Sequence, residues 1–130
     1  MKRLYLYFSV VIIGIYVWMA GTLPAGATDV WVDYWDSENV DVYVIDDTIS
    51  YGTRSTGRWF KVSTKLVQDG QLQQVVDWEF SKYKSDMWRY ETNTMDGTHT
   101  TVVLVHNGVF EYSMKQIGWS YYVRNGWYYY

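Results

Sequence analysis

No cysteine occurs in the chain, and proline occurs once, at Pro24. Without thiols there is no disulfide framework, no zinc–thiolate centre, no cysteine nucleophile and no lipid anchor on cysteine. A basic excess is lacking as well, since 11 Lys and Arg face 14 Asp and Glu for a formal net charge of -3. Such a balance gives no counterion-release drive toward nucleic acid, which is therefore not an expected partner. Phosphate-binding glycine loops and the His-x-His and His-Glu-x-x-His spacings are also missing, so no cofactor is expected and no catalytic residue is assigned. What the chain has in abundance is aromatic side chain, 20% of all residues, with Trp 8 and Tyr 14.

Met1-Lys2-Arg3 gives a short positive start, and Leu4 to Leu23 follows without a charge. Pro24 and Ala25-Gly26-Ala27 then place small residues where a signal peptidase requires them, so residues 1–27 read as an apolar signal helix cleaved after Ala27. The alternative is an uncleaved anchor, because twenty apolar residues at about 1.5 Å each span roughly 30 Å of bilayer. Either way Lys2 and Arg3 stay inside, and residues 28–130 are expected outside the cytoplasm: in the periplasm, at the cell surface or secreted. That domain keeps every acidic residue and every tryptophan but Trp18.

From Val30 onward the hydrophobic period is two, and β-branched and aromatic residues dominate, which predicts an antiparallel, mainly β domain of about eight short strands. A single curved sheet and a small sandwich or barrel both fit. The first hairpin joins Val30–Trp35 to Val40–Ile45 across Asp36-Ser37-Glu38-Asn39, Asp46-Asp47-Thr48 breaks the strand, and Gly52 to Gly57 reads as a mobile loop. Arg58 to Val67 places Phe60, Val62, Thr64 and Leu66 on a dry face and Trp59, Lys61, Ser63 and Lys65 on a wet one, before an Asp69-Gly70 turn. Residues 71–82 fit a return strand, although Leu72, Val75, Val76 and Glu79 also fit a helical stripe. Turns at Tyr83 to Asp86 and Met95-Asp96-Gly97 flank a strand over Met87 to Thr94. Asn107-Gly108 predicts a hairpin between Thr98–Val105 and Val109–Met114, and Asn125-Gly126 another between Ile117–Val123 and Trp127–Tyr130.

His99 and His106 bracket one expected strand on opposite faces and are not expected to share a metal. Asp33, Asp36, Glu38, Asp41, Asp46 and Asp47 gather carboxylates around two turns, but in no calcium-loop spacing, and read as solvated turn residues, with calcium binding the alternative. The aromatic residues are more informative. Rings occur on both faces of several strands, and one core covers only one face, so the other must meet solvent, a second layer, a subunit or a ligand. Trp31, Trp35, Trp59 and Trp119 are the candidate ligand-binding residues, Trp59 the firmest because it shares its face with Lys61, Ser63 and Lys65.

The export signal, Trp31 and Tyr34, the Tyr43-Val44-Ile45-Asp46-Asp47-Thr48-Ile49 stretch, the Val62–Val67 strand, Trp78-Glu79-Phe80 and Trp88-Arg89-Tyr90 together resemble the bacterial surface-adhesin protein E-like family over about residues 30–92. The resemblance implies an extracytoplasmic antiparallel sheet that binds host matrix or serum proteins. The paired cysteines and the lipid-attachment cysteine of that family are absent here, and its closing helix is not recognisable because Arg124 to Tyr130 reads as turn and strand. Gly118-Trp119 followed by Gly126-Trp127-Tyr128-Tyr129 looks like one copy of a choline- or glucan-binding cell-wall repeat. The combined expectation is a non-enzymatic, adhesin-like binding domain of a bacterial cell envelope whose partner is an envelope or host protein or glycan. A small extracytoplasmic enzyme with a site assembled from unlinked residues, or a glycan-binding module, is the alternative.

Overall fold

The structure, a computed structural model, describes residues 29–82, 86–95 and 101–130. The apolar segment 1–27, His99 and most of the expected turns at 83–86 and 95–97 lie outside the described residues. The domain is mainly β. Strands β1 (Asp29–Trp35), β2 (Val40–Arg54), β3 (Gly57–Gln68), β4 (Gln71–Ser81), β5 (Arg89–Thr92) and β6 (Thr101–Val102) form one six-stranded antiparallel sheet in sequence order. Helix α1 (Gly108–Ile117) follows, and β7 (Tyr122–Arg124) and β8 (Trp127–Tyr129) make a small second sheet.

The β3–β4 hairpin forms as expected, with Phe60 opposite Phe80, Val62 opposite Trp78 and Thr64 opposite Val76. Asp69 at φ 51 and Gly70 at φ 76 supply the positive angles that a two-residue turn between twisted strands demands. Asn125 and Gly126, at φ 55 and 85, do the same between β7 and β8. Residues 71–81 are thus strand, not helix.

Three expectations are corrected. Gly52 to Gly57 is not a loop: β2 runs through Arg54, Arg54 pairs with Gly57, and only Ser55-Thr56 turns. Asp46-Asp47-Thr48 does not end the strand either. Ile45 pairs with Ser63 and Ser50 with Lys61, so the intervening residues form a bulge within β2. Thr48 repairs the ladder there, its hydroxyl accepting from Ser63 N at 2.9 Å and donating to Ile45 O at 2.6 Å.

The third correction concerns Val109–Met114, which is helix where a strand was expected. Asn107 is extended at φ -108, and its side chain accepts from Phe110 N, so the Asn-Gly pair caps a helix instead of closing a hairpin. Val109, Phe110, Ser113 and Met114 make the buried stripe. Gly118 at φ 88 ends the helix, its N–H donating to Met114 O at 2.9 Å. Tertiary burial decides the competition: Phe110 meets Phe80, Trp88 and Tyr128 with ring centroids 5.5, 5.5 and 4.4 Å apart. Asn107→Ala is expected to cost about 1 kcal/mol and Asn107→Asp little, as read from urea unfolding midpoints.

The core therefore lies between α1 and one face of the sheet, here called the inner face. Val40, Val42, Val44, Phe60, Val62, Leu66, Val76, Trp78 and Phe80 contribute from the strands. Thr64 is the polar residue that the strands contribute, accepting from Trp78 Nε1 at 3.0 Å and donating to Val76 O at 3.3 Å, so its burial leaves its own hydroxyl paired.

Candidate functional site

The opposite, outer face carries the side chains that alternate with the core. Register fixes its rows. Tyr34, Asp41, Val67 and Leu72 line up across β1 to β4, and Trp31, Tyr43, Lys65 and Val75 form the next row. Asp29, Ile45, Ser63 and Asp77 follow, then Ser50, Lys61, Glu79 and Glu91, then Gly52, Trp59, Ser81 and Arg89.

The first two rows are apolar at their exposed positions. Trp31 is 54% exposed, Tyr34 43%, Leu72 44% and Val75 42%, and Tyr43 and Val67 lie half-buried among them. They are half of the eight large hydrophobic residues that the described chain exposes, which makes this end of the sheet a patch instead of a scatter. Trp31 is held in place by its indole N–H, which donates to Asp41 Oδ1 at 2.9 Å, and Tyr34 by its hydroxyl, which donates to Asn39 Oδ1 at 2.5 Å. Lys65 crosses the patch with its ammonium 3.3 Å from Asp29 Oδ2. Burial pushes the Asp29 carboxyl up and the Lys65 ammonium down, outweighing their mutual attraction.

Next to the patch lies an open trough of about 500 Å³ lined by Ser50, Lys61, Ser63, Asp77, Glu79 and Asn93, among others. Its polar groups largely satisfy one another. Ser63 donates to Asp77 Oδ1 at 2.6 Å, Asp77 N donates to Asn93 Oδ1 at 3.1 Å, and Arg54 sits 2.8 Å from Glu79.

The four tryptophans singled out from sequence do not share a surface. Strict alternation along β1 would put Trp31 and Trp35 on one face, but a bulge at Val32 shifts the register between Trp31 and Asp33, so Trp31 faces outward while Asp33 and Trp35 turn inward. Trp35 meets Trp78 edge-on at 6.1 Å. Trp59 is on the outer face but half-buried: its indole lies across Gly52, where a Cβ would come within 3.0 Å, and Arg54 covers the ring at 4.6 Å. Trp119 packs on the inner side, 6.2 Å from Trp88 and beneath Arg58 at 4.9 Å. Tyr34, Leu72 and Val75 had not been singled out. The adjacent pair Val75-Val76 was a readable signal, because consecutive strand residues point to opposite faces and one valine must face out.

The acidic residues around the first turns disperse. Asp33 accepts from Gly108 N at 3.2 Å at the start of α1, Asp46 accepts from Tyr112 Oη at 2.6 Å, and Asp41 holds Trp31. Among the described residues no three His, Asp or Glu side chains converge as metal ligands. His106 Nδ1 lies 3.0 Å from Glu111 Oε2, which also accepts from Tyr128 Oη at 2.5 Å, a contact that ties β8 to α1.

The chain matches no family model, no curated protein and no solved structure.

Three tyrosines make the stability of the fold depend on pH at the alkaline end. Desolvation, then the hydrogen bond to Asp46, pushes the Tyr112 hydroxyl up to about 12, and burial raises Tyr128 and Tyr130 as well. Unfolded phenols ionise near the ordinary value of 10.0, so the Tyr112 contribution to stability is fully present below that pH and is lost as pH rises from about 10 through about 12. Urea midpoints should fall across that window, and less steeply in Tyr112→Phe.

Proposed function

We propose that this is an extracytoplasmic, non-enzymatic binding domain of a bacterial cell envelope that engages its partner through the outer face of the sheet. The carrying observation is the patch formed by Trp31, Tyr34, Leu72 and Val75, exposed on the face opposite α1. Rigid aromatic rings give much contact area for little lost rotamer freedom, and these rings are pinned by hydrogen bonds on strands, a pre-organised arrangement suited to docking.

Two further features support the reading. Residues 1–27 read as an export signal, which supports a location where envelope and host surfaces are met. The resemblance to the surface-adhesin protein E-like family over about residues 30–92 points the same way. The trough beside the patch favours the second reading, a glycan site, since its carboxylates, hydroxyls and amide offer hydrogen bonds to a polyol.

The test is crosslinking of the exported chain to envelope and host-matrix extracts, comparing wild type with Trp31→Ala and Tyr122→Ala. Loss of a central aromatic anchor costs about 2 kcal/mol or more, roughly thirty-fold in affinity. Trp31→Ala should therefore lose the crosslinked partner, and Tyr122→Ala on β7 should retain it. The reverse pattern would move the binding surface to the β7–β8 hairpin.

A further inference from the structure

The surroundings of the outer-face patch are acidic. Asp36 and Glu38 lie in the exposed turn that continues from Tyr34 and Trp35, and Asp41 sits directly opposite Tyr34. Asp69 occupies the exposed turn beyond Leu72, and Asp77 stands two residues from Val75 on the same face. Five carboxylates thus frame the patch. The one cation within its rows, Lys65, is largely buried and paired with Asp29, so this pair adds no net charge. Lys61 and Arg54, further along the face, are drawn to Glu79 at 4.0 and 2.8 Å.

Charge complementarity chooses among occupants. A second copy docking by the same patch would set these carboxylates against their own symmetry mates, and an anionic lipid surface would be repelled for the same reason. A neutral glycan could stack on Trp31 but would leave the acidic frame unused. A segment carrying Lys or Arg between apolar residues uses both: its apolar groups cover Leu72 and Val75, and its cations reach the carboxylates and the faces of Trp31 and Tyr34. The β1 edge does not invite an added strand, because the bulge at Val32 and the inward-turned Asp33 blunt it, so the segment lies across the face.

Resting on the outer-face reading above, we infer that the Trp31–Tyr34–Leu72–Val75 patch is a docking surface for a cationic, apolar segment of another protein.

The probes are a fluorescent peptide of alternating lysine and leucine, its glutamate–leucine counterpart, and vesicles of neutral and of anionic phospholipid, each titrated against the purified domain. The lysine peptide should bind, and lose about tenfold in affinity between roughly 50 and 500 mM salt. It should lose a similar factor in the triple variant Asp36→Asn, Glu38→Gln, Asp69→Asn, whose side chains lie in exposed turns, and most of its binding in Trp31→Ala. Equal binding of the glutamate peptide, indifference to the triple variant, or binding to vesicles but to neither peptide overturns the inference. If a probe still depends on Trp31 in those cases, the outer-face reading survives. If no probe responds to Trp31→Ala and the crosslinked partner is also retained, both fall.

Discussion

Phe60→Ala is expected to lower the unfolding free energy by about 3 to 5 kcal/mol, while the neighbouring Lys61→Ala costs about 0.5 kcal/mol or less. Phe60 is fully buried, stacked on Phe80 at 4.7 Å, and in contact with Trp88 and Phe110 at 5.7 and 5.9 Å. Removing the ring opens a cavity between the two layers, where sheet and helix meet and neither can close in alone. Lys61 is on the other face, its side chain 53% exposed and 4.0 Å from Glu79, a weak surface pairing. Urea unfolding of both variants reads the difference. A larger cost at Lys61 than at Phe60 would mean that the two faces of β3 had been exchanged, the signature of a one-residue register slip, and equal costs that Phe60 is not the buried member of the pair.

Gly108→Ala should be destabilising by about 3 kcal/mol, against what helix propensity alone would give. Alanine is favoured over glycine within helices by up to about 1 kcal/mol, so propensity predicts a gain. The packing predicts the opposite. A Cβ at position 108 would lie 2.2 Å from Val32 O and 2.9 Å from Val32 C, both backbone atoms of the β1 bulge. Relief requires moving α1 off the sheet or undoing the bulge, and either disturbs the hydrogen bond from Gly108 N to Asp33. Because the bulge turns Trp31 outward, this variant should also change the environment of Trp31, visible as a shift of its indole N–H resonance. A stabilised Gly108→Ala would show that α1 and β1 do not approach this closely.

These two sites also show why the fold was only partly legible. The face assignment of β3 follows from strict alternation of Phe60, Val62, Thr64 and Leu66 with charged or polar neighbours, a local pattern that needs no tertiary information. The helix was hidden because Asn107-Gly108 and the β-forming residues Val109, Phe110 and Tyr112 carry a strong hairpin signal. What overrides it is a nonlocal fact: the inner face of the sheet needs a covering layer, and Phe110 fills the space above Phe80 and Trp88. The site was legible to a similar degree. An aromatic outer surface was anticipated and Trp31 belongs to it, but the bulge at Val32 has no sequence mark strong enough to reveal a change of face, while the polar run Asp46-Asp47-Thr48 at the second bulge reads as a break. Trp35 was misplaced for that reason. Trp59 was placed on the right face, but its half-burial depends on Gly52 and Arg54 across the β2–β3 pair, which alternation along one strand cannot reveal.

The proposed docking surface is the open face of the sheet, not the β7–β8 hairpin. Hydroxyl-radical footprinting of the protein, once purified and once in the cells that produce it, tests this directly. Trp31, Tyr34 and Leu72 should lose reactivity in the native setting, while Tyr122 and Val123, which are similarly exposed in the isolated domain, keep theirs. Unchanged reactivity at Trp31, or protection confined to Tyr122 and Val123, would contradict the account.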